Sequence, residues 1–320
     1  MPTAALGSAG LVVPRIGLGL AALGRPAYIT GGRGEDLPGR SVAELRARTF
    51  SVLDAAYEAG VRYVDTARSY GRAEEFLAGW LADRGHPDVV VGSKWGYRYV
   101  GGWRADASRH EVKEHSLAMF TTQLAQTRAL LGGQLALYQV HSLTAGSGAL
   151  GDPGLVGALA RLRDEGVLIG LTTSGPGQGE VIQRALEVTA DGQPLFTVAQ
   201  VTWNLLEPSA GAAAARAAAA GWTIVVKEAL ANGRLAAPAG AAAPPAQLAA
   251  LAADRGVTVD AIALAAALAN PWAGVVLSGA VTRRQLRSNL AALAVGGLPP
   301  LDLAEPPGAY WAARAARPWS

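Results

Sequence analysis

Residues 60–81 read GVRYVDTARSYGRAEEFLAGWL. A short apolar run ends abruptly in Asp65, a polar turn holds Tyr70 and Gly71, and apolar residues then recur at helical spacing to about Arg84. This is one strand, one loop and one helix, with an acid closing the strand. The same unit can be followed along the whole chain.

Upstream, TAALGSAGLVV has the pattern of a hairpin and RIGLGLA that of a first strand; RYVDTA is the second. DVVVGSK, LALYQVHSL, VLIGLTT, FTVAQVTWN, WTIVVKEAL and GVVLSGA follow as strands three to eight. Helical patterns separate them over residues 41–59, 72–84, 108–131, 153–165, 179–189, 209–220, 246–269 and 283–293. The strand runs are nearly continuous Val, Ile and Leu instead of alternating with polar residues, as in parallel strands covered by helices. Strict alternation repeated eight times predicts an α/β fold of the (β/α)8 TIM barrel type with an N-terminal β-hairpin. Residues 1–320 are expected to form a single domain, with the extended loop 25–40 and the C-terminal tail 300–320 near the active-site mouth.

A doubly wound dinucleotide-binding sheet fits less well. Its glycine-rich turn should follow the first strand, where this chain has the long loop GLAALGRPAYITGGRGEDLPG. TTSGPGQGE does resemble such a turn, but it follows the fifth strand and no acid ends the next one. The alanine-rich stretches GAAAARAAAAG and AAPAGAAAPPAQLAALAA read as helix and as loop leading into helix, because alanine is the best helix former.

Half of the 320 residues are hydrophobic, enough for a large core, yet no apolar run is long enough to cross a membrane and the first residues lack the zones of a signal peptide. A soluble cytoplasmic protein is expected. Cysteine is absent, which excludes disulfides and thiolate chemistry. The four histidines, His86, His110, His115 and His141, lie in separate segments, so no metal site is expected. A net charge of +3 without any Lys/Arg tract gives no reason to expect nucleic acid as a partner.

In such a barrel the chemistry sits at the C-terminal ends of the strands. Strand two ends in Asp65, strand three in Lys94 and strand four in His141, while Tyr70 lies in the loop after strand two. Neighbouring strands are about 4.8 Å apart, so these groups should converge on one mouth. A phenol with a free pKa of about 10 transfers protons poorly at neutral pH, and a nearby ammonium should lower it. Asp65 can hold that ammonium in place, and His141 can donate a hydrogen bond to a substrate oxygen. The set suits proton transfer to a carbonyl or from an alcohol; the accompanying hydride must come from a cofactor, since no side chain supplies one.

The segments VDTARSYG, GSKWG and LYQVHSL resemble those carrying the Asp, Tyr, Lys and His tetrad of the aldo-keto reductases. The resemblance extends through LGSAGLVVPRIGLGLA, LARLRDEGVLIGL, AQVTWNLLE and VLSGAVTRRQLRSNLAAL, in order, over nearly the whole chain. It implies Tyr70 as the general acid, Lys94 and Asp65 as its tuning pair, and His141 as the orienting group. It also implies a nicotinamide cofactor, NADPH as the usual one with NADH the alternative, bound by Gln200 and, at the adenosine end, by Ser278, Gly279, Ala280, Thr282, Gln285 and Asn289. Arg283 and Arg284 would add charge for a ribose phosphate. Two places depart from the family pattern: Thr172 and Thr173 stand where Ser-Asn is usual, and Lys227 stands where an aromatic residue stacks on the nicotinamide. Tyr28, Trp95 and Trp103 are candidates for substrate contact, and Trp203 is a further one.

The function implied is an NAD(P)H-dependent oxidoreductase reducing, or reversibly oxidising, a small-molecule carbonyl or alcohol, with a sugar or a secondary-metabolite ketone as candidate substrates. The alternatives are a redox-sensing regulatory subunit with little turnover and an NAD-dependent sugar dehydrogenase.

Overall fold

The computed structural model describes residues 1–8, 10–29, 36–236 and 243–319. Eight parallel strands close into a barrel in the order β3 (Ile16–Gly19), β4 (Tyr63–Asp65), β5 (Val90–Trp95), β8 (Leu135–Leu143), β9 (Leu168–Thr173), β12 (Val198–Thr202), β13 (Thr223–Lys227) and β14 (Ala273–Ser278). The antiparallel hairpin β1 (Thr3–Leu6) and β2 (Leu11–Pro14) precedes it. Leu6 and Val13 of the hairpin pack with Tyr63, Leu137, Leu168, Val198, Val225 and Val275 inside the N-terminal end of the barrel. Burying each such side chain stabilises by about 1.5–3 kcal/mol, so the interior is a packed core and the open end is the opposite one.

Helices α1 (Val42–Glu58), α2 (Ala73–Arg84), α3 (Leu117–Leu131), α4 (Pro153–Asp164) and α5 (Gln178–Leu186) carry the chain back between strands. So do α6 (Gly211–Ala219), the pair α7 (Ala246–Asp254) and α8 (Val259–Leu268), and α9 (Arg283–Leu290). Their ends follow local chemistry. Ser41 and Glu44 form a reciprocal capping box on α1, the Ser41 amide donating to Glu44 Oε2 at 3.0 Å. Asp152 caps α4 ahead of Pro153, and Gly85 ends α2 in the left-handed region at φ 64°. No helix among the described residues is long and apolar enough to cross a membrane.

Two expectations change. The helix expected over 108–131 begins only at Leu117, because Ser116 caps it and the residues before it pair as a hairpin, β6 (Tyr97–Tyr99) with β7 (Glu111–Lys113). The helices expected over 246–269 are present as two, parted where Gly256 takes φ 64° and Thr258 starts the second. The tail folds into a further helix, α10 (Pro307–Ala315), whose Tyr310 and Trp311 are buried. Short antiparallel strands β10 (Thr189–Ala190) and β11 (Gln193–Pro194) complete the elements used here. Parts of the loop 25–40, of the second alanine-rich stretch and of the tail, namely residues 30–35, 237–242 and 320, lie outside the described residues.

Candidate active site

Asp65, Lys94 and His141 lie on β4, β5 and β8, three strands that are consecutive around the barrel, and their side chains meet at its open end. Lys94 is wholly buried; its Nζ donates to Asp65 Oδ1 and to the Thr66 carbonyl at 2.8 Å. Asp65 Oδ2 accepts from Gln200 Nε2 at 2.9 Å and from Gln139 Nε2 at 3.4 Å. Burial lowers the Lys94 pKa, and the Asp65 charge is the largest effect opposing it. An ion pair without water needs this many partners to persist.

The loop carrying Tyr70 leans on β5: the amides of Thr66 and Arg68 donate to the carbonyls of Gly92 and Lys94 at 2.8 and 3.1 Å. From the other side it touches the chain after β3, where Arg72 donates its amide to the Gly24 carbonyl at 2.8 Å. A Cβ on Gly24 would lie 2.2 Å from the Tyr70 carbonyl, and one on Gly71, at φ +62°, would lie 2.4 Å from the Gly24 carbonyl. Both positions therefore require glycine. Below the loop, buried Glu74 accepts from Ser93 Oγ at 2.5 Å, from Thr127 Oγ1 at 2.9 Å and from Arg68, tying the turn to the strand that holds Lys94.

Tyr70 is thereby held with its hydroxyl 3.5 Å from His141 Nε2. Ser69 Oγ lies 3.4 Å from the other ring nitrogen, and donation from it leaves Nε2 carrying the imidazole hydrogen toward the cavity. Burial first, and the charges of Lys94 and Arg25 next, press the His141 pKa well below its usual value, so the ring is neutral. The phenol behaves opposite to the lowering expected from Lys94. Burial and the Asp65 charge hold Tyr70 well above its usual value. The reason is geometric: the Lys94 ammonium is neutralised by Asp65 and lies over the ring face, 4.8 Å from its centroid.

Asp65, Tyr70 and His141 border one cavity of about 730 Å³, within the range of small-molecule sites, while the buried Lys94 lies behind them and does not border it. Near the tetrad it is bordered by Arg25, Tyr28, Tyr97, Glu111, Lys227, Glu228 and Trp319; it then runs past Gln200 to Ser278, Gly279, Ala280, Arg284, Gln285 and Asn289. At that far end Ser278 Oγ donates to Asn289 Oδ1 at 2.7 Å, Thr282 caps α9, and a Cβ on Gly279 would meet nothing within 4 Å. A long channel with a fixed amide midway, and hydroxyls, a helix N-terminus and a guanidinium at its end, suits an elongated dinucleotide.

Not every residue expected at the site borders this cavity. Thr172 Oγ1 accepts from the Ser142 amide at 2.6 Å and Thr173 donates to Gln178 Oε1 at 2.9 Å; Ser174, one residue on, reaches the wall instead. Trp95 is wholly buried against Phe120, and Trp103 packs on Phe76 while donating to the Arg40 carbonyl at 3.0 Å. Trp203 packs on Trp272. Thr282 acts as the cap of α9, and Arg283 turns outward to Glu58 of α1 at 3.3 Å. Lys227 does border the cavity. Its Nζ donates to Thr202 Oγ1 at 2.5 Å, and burial lowers its pKa to about 8.

Several residues escaped the sequence reading. Arg25 is buried among the rings of Tyr28, Tyr70 and Trp319, with its guanidinium 4.7–5.0 Å from each centroid, and donates to Glu111 at 2.8 Å. Glu228, held near a pKa of about 2 chiefly by Arg314 against the cost of burial, makes two bonds of 2.6 and 2.7 Å to that arginine of α10. Trp319 stacks on His110 with centroids 4.3 Å apart. Arg25 and Trp319 fall in the loop 25–40 and the tail that the sequence placed near the mouth, and Glu228 follows Lys227 at the end of β13.

The comparisons with known proteins agree with this fold. An aldo-keto reductase of Bacillus halodurans in its holo form superposes with a TM-score of 0.70 over 98% of this chain and 96% of its own, at 21% identity. A structure from Pseudomonas aeruginosa, 23% identical, gives 0.66 over 91% and 94%. Among curated proteins, the uncharacterized oxidoreductase YqkF of Bacillus subtilis is 30% identical over 144 residues, 43% of this chain and 38% of the relative's own length. The sequence pattern of the Aldo/keto reductase family matches residues 15–305, nearly the whole barrel with its buried tetrad, and the chain belongs to that family.

Proposed function

We propose that this protein is an NAD(P)H-dependent oxidoreductase that reduces a small-molecule carbonyl, or reversibly oxidises the corresponding alcohol, with Tyr70 as general acid and base. The observation that carries this reading is the convergence of the Tyr70 hydroxyl and His141 Nε2, 3.5 Å apart, on the wall of a cavity of about 730 Å³ whose lining continues to Ser278 and Asn289. The cofactor supplies the hydride when bound. Gln200, Ser278, Gly279, Ala280, Gln285 and Asn289 are the residues proposed to hold it. The resemblance favours NADPH with NADH as the alternative, and the two differ in the charge they bring to the adenosine end.

Protonation is the task of the chain itself. The neutral His141 donates from Nε2 to the substrate oxygen and fixes it beside the Tyr70 hydroxyl. Tyr70, held in its protonated form by burial, donates its proton as negative charge develops on that oxygen. The phenolate left behind has the Lys94 ammonium over its ring face, 4.8 Å from the centroid, where Asp65 and the Thr66 carbonyl hold it in place. In the oxidative direction the same proton returns to Tyr70. The rings of Tyr28, Tyr97 and Trp319 and the fixed charges of Glu111 and Glu228 border the substrate end. Apolar faces beside hydrogen-bonding charges suit a polyhydroxylated substrate, and a sugar is the substrate class we favour.

Tyr70→Phe tests the reading. The variant should bind the nucleotide as the parent does and lose turnover by about 10²-fold or more, the scale of general acid catalysis. Turnover within a few-fold of the parent on a carbonyl panel would exclude Tyr70 as the acid.

A further inference from the structure

We propose that Asp36 and Asp260 make the far end of the cavity a seat for an unphosphorylated ribose, so that the protein takes NADH in preference to NADPH. This rests on the reading that the cavity holds a nicotinamide dinucleotide with its adenosine at α9.

The charges at that end are the opposite of those a ribose phosphate needs. The Asp36 carboxylate, on the chain that leaves β3, accepts from Gln285 Nε2 at 2.6 Å and lies 3.6 Å from the Arg284 guanidinium. Asp260, in the first turn of α8, accepts from Asn289 Nδ2 at 2.6 Å through Oδ2. Both border the cavity, together with the hydroxyl-bearing Thr258 and Ser288. Of the two arginines that the sequence offered for a phosphate, Arg283 is turned away to Glu58 and does not border the cavity. Arg284 borders it, but it is 80% exposed and already faces Asp36. Among the described residues, then, two carboxylates and one partly neutralised guanidinium surround the adenosine end.

A 2′-phosphate brings about −1.5 to −2 charges at neutral pH. To reach Arg284 it would have to displace Asp36 and would still lie beside a carboxylate, where like charges repel. A ribose diol brings two O–H donors instead. Carboxylates accept such donors, as acidic residues do for the ribose hydroxyls in other dinucleotide sites, and the bond from Gln285 to Asp36 stays intact. Exposure of Arg284 weakens its attraction for a phosphate further, since water and salt screen it.

The test is direct binding without turnover. Dissociation constants for NADH and NADPH are measured by titration calorimetry, or by quenching of tryptophan fluorescence, on the intact protein and on Asp36→Asn and Asp260→Asn. Circular dichroism confirms that each variant is folded. The parent should bind NADH at least about tenfold more tightly than NADPH, a preference of about 1.4 kcal/mol. Each variant should narrow that ratio, mainly by tightening NADPH several-fold. Asp260→Asn can also loosen the buried Asn289, so Asp36→Asn, on the loop, is the decisive variant. Equal or tighter binding of NADPH by the parent, or a ratio unmoved in Asp36→Asn, overturns the inference and leaves the oxidoreductase reading standing. Failure to bind either nucleotide overturns both.

Discussion

Asp65→Asn isolates the electrostatics beneath the proposed chemistry. Asparagine keeps the shape of the side chain and one oxygen acceptor, so what is removed is the charge beside Lys94. That ammonium is wholly buried, with the Thr66 carbonyl as its other acceptor at 2.8 Å. Breaking a buried pair by neutralising one partner destabilises by about 3–5 kcal/mol, because the remaining charge is uncompensated. The effect has a pH signature of known sign. The Lys94 pKa is already below the ordinary lysine value of 10.5 in the folded protein, burial being the first cause and Asp65 the main opposing one; without Asp65 it falls further. Between the folded and unfolded values the unfolded chain binds more protons, so stability rises with pH, by up to about 1.4 kcal/mol per unit for one group. The penalty in Asp65→Asn should therefore be largest at the acid end of the series and shrink as pH rises toward the ordinary lysine value, as Lys94 loses its proton in both folded proteins. Equilibrium urea unfolding of parent and variant at a series of pH values, followed by tryptophan fluorescence and far-UV circular dichroism, measures this. A penalty under about 1 kcal/mol, or one constant across that range, would show that Lys94 does not carry a buried charge.

Two further outcomes follow from particular contacts. Lys227 has a pKa of about 8 and borders the cavity, so if it faces the anionic dinucleotide, the dissociation constant for NADH should rise above about pH 8, by at most about tenfold per unit. Lys227→Met should bind more weakly at neutral pH and lose that limb; an unchanged limb assigns it to another group. Gly24→Ala places a Cβ 2.2 Å from the Tyr70 carbonyl, and the overpacking should cost about 1–3 kcal/mol of stability and displace the phenol enough to lower turnover. Turnover and melting temperature equal to the parent's would show that the turn yields.

The architecture was legible because each parallel strand is covered on both faces and so carries a near-continuous apolar run. The polar residues that break those runs, Asp65, Lys94 and His141, were legible for the same reason. What failed were positions governed by side-chain parity and by distant packing. Successive residues of a strand point to opposite faces. With Lys94 directed into the barrel, Trp95 must point outward into the helix layer, where it meets Phe120. Thr172 and Thr173 sit two steps and one step short of Ser174, which reaches the wall, and their hydroxyls satisfy the irregular end of β8 and the start of α5. The segment before α3 resembled a helix because nothing local reveals that residues 97–99 will pair with it. Arg25, Glu228, Arg314 and Trp319 come together from loops and from the last helix and tail, through contacts that span 44 to 294 positions and are known only once the tail has folded back. Asp36 was unreadable for a similar reason: its meaning depends on Gln285.

That pairing joins positions 249 residues apart, across the seam where β3 hydrogen-bonds to β14. The proposed adenosine seat is therefore complete only once the first and last strands have met. A chain still emerging from synthesis, lacking α9, lacks that seat, and a ring opened at this seam would lose it. Bound nucleotide is then a latch on ring closure: at a concentration of 100 Kd it adds about 2.7 kcal/mol to the closed state, and amide exchange along β3 and β14 should slow before it slows elsewhere in the barrel.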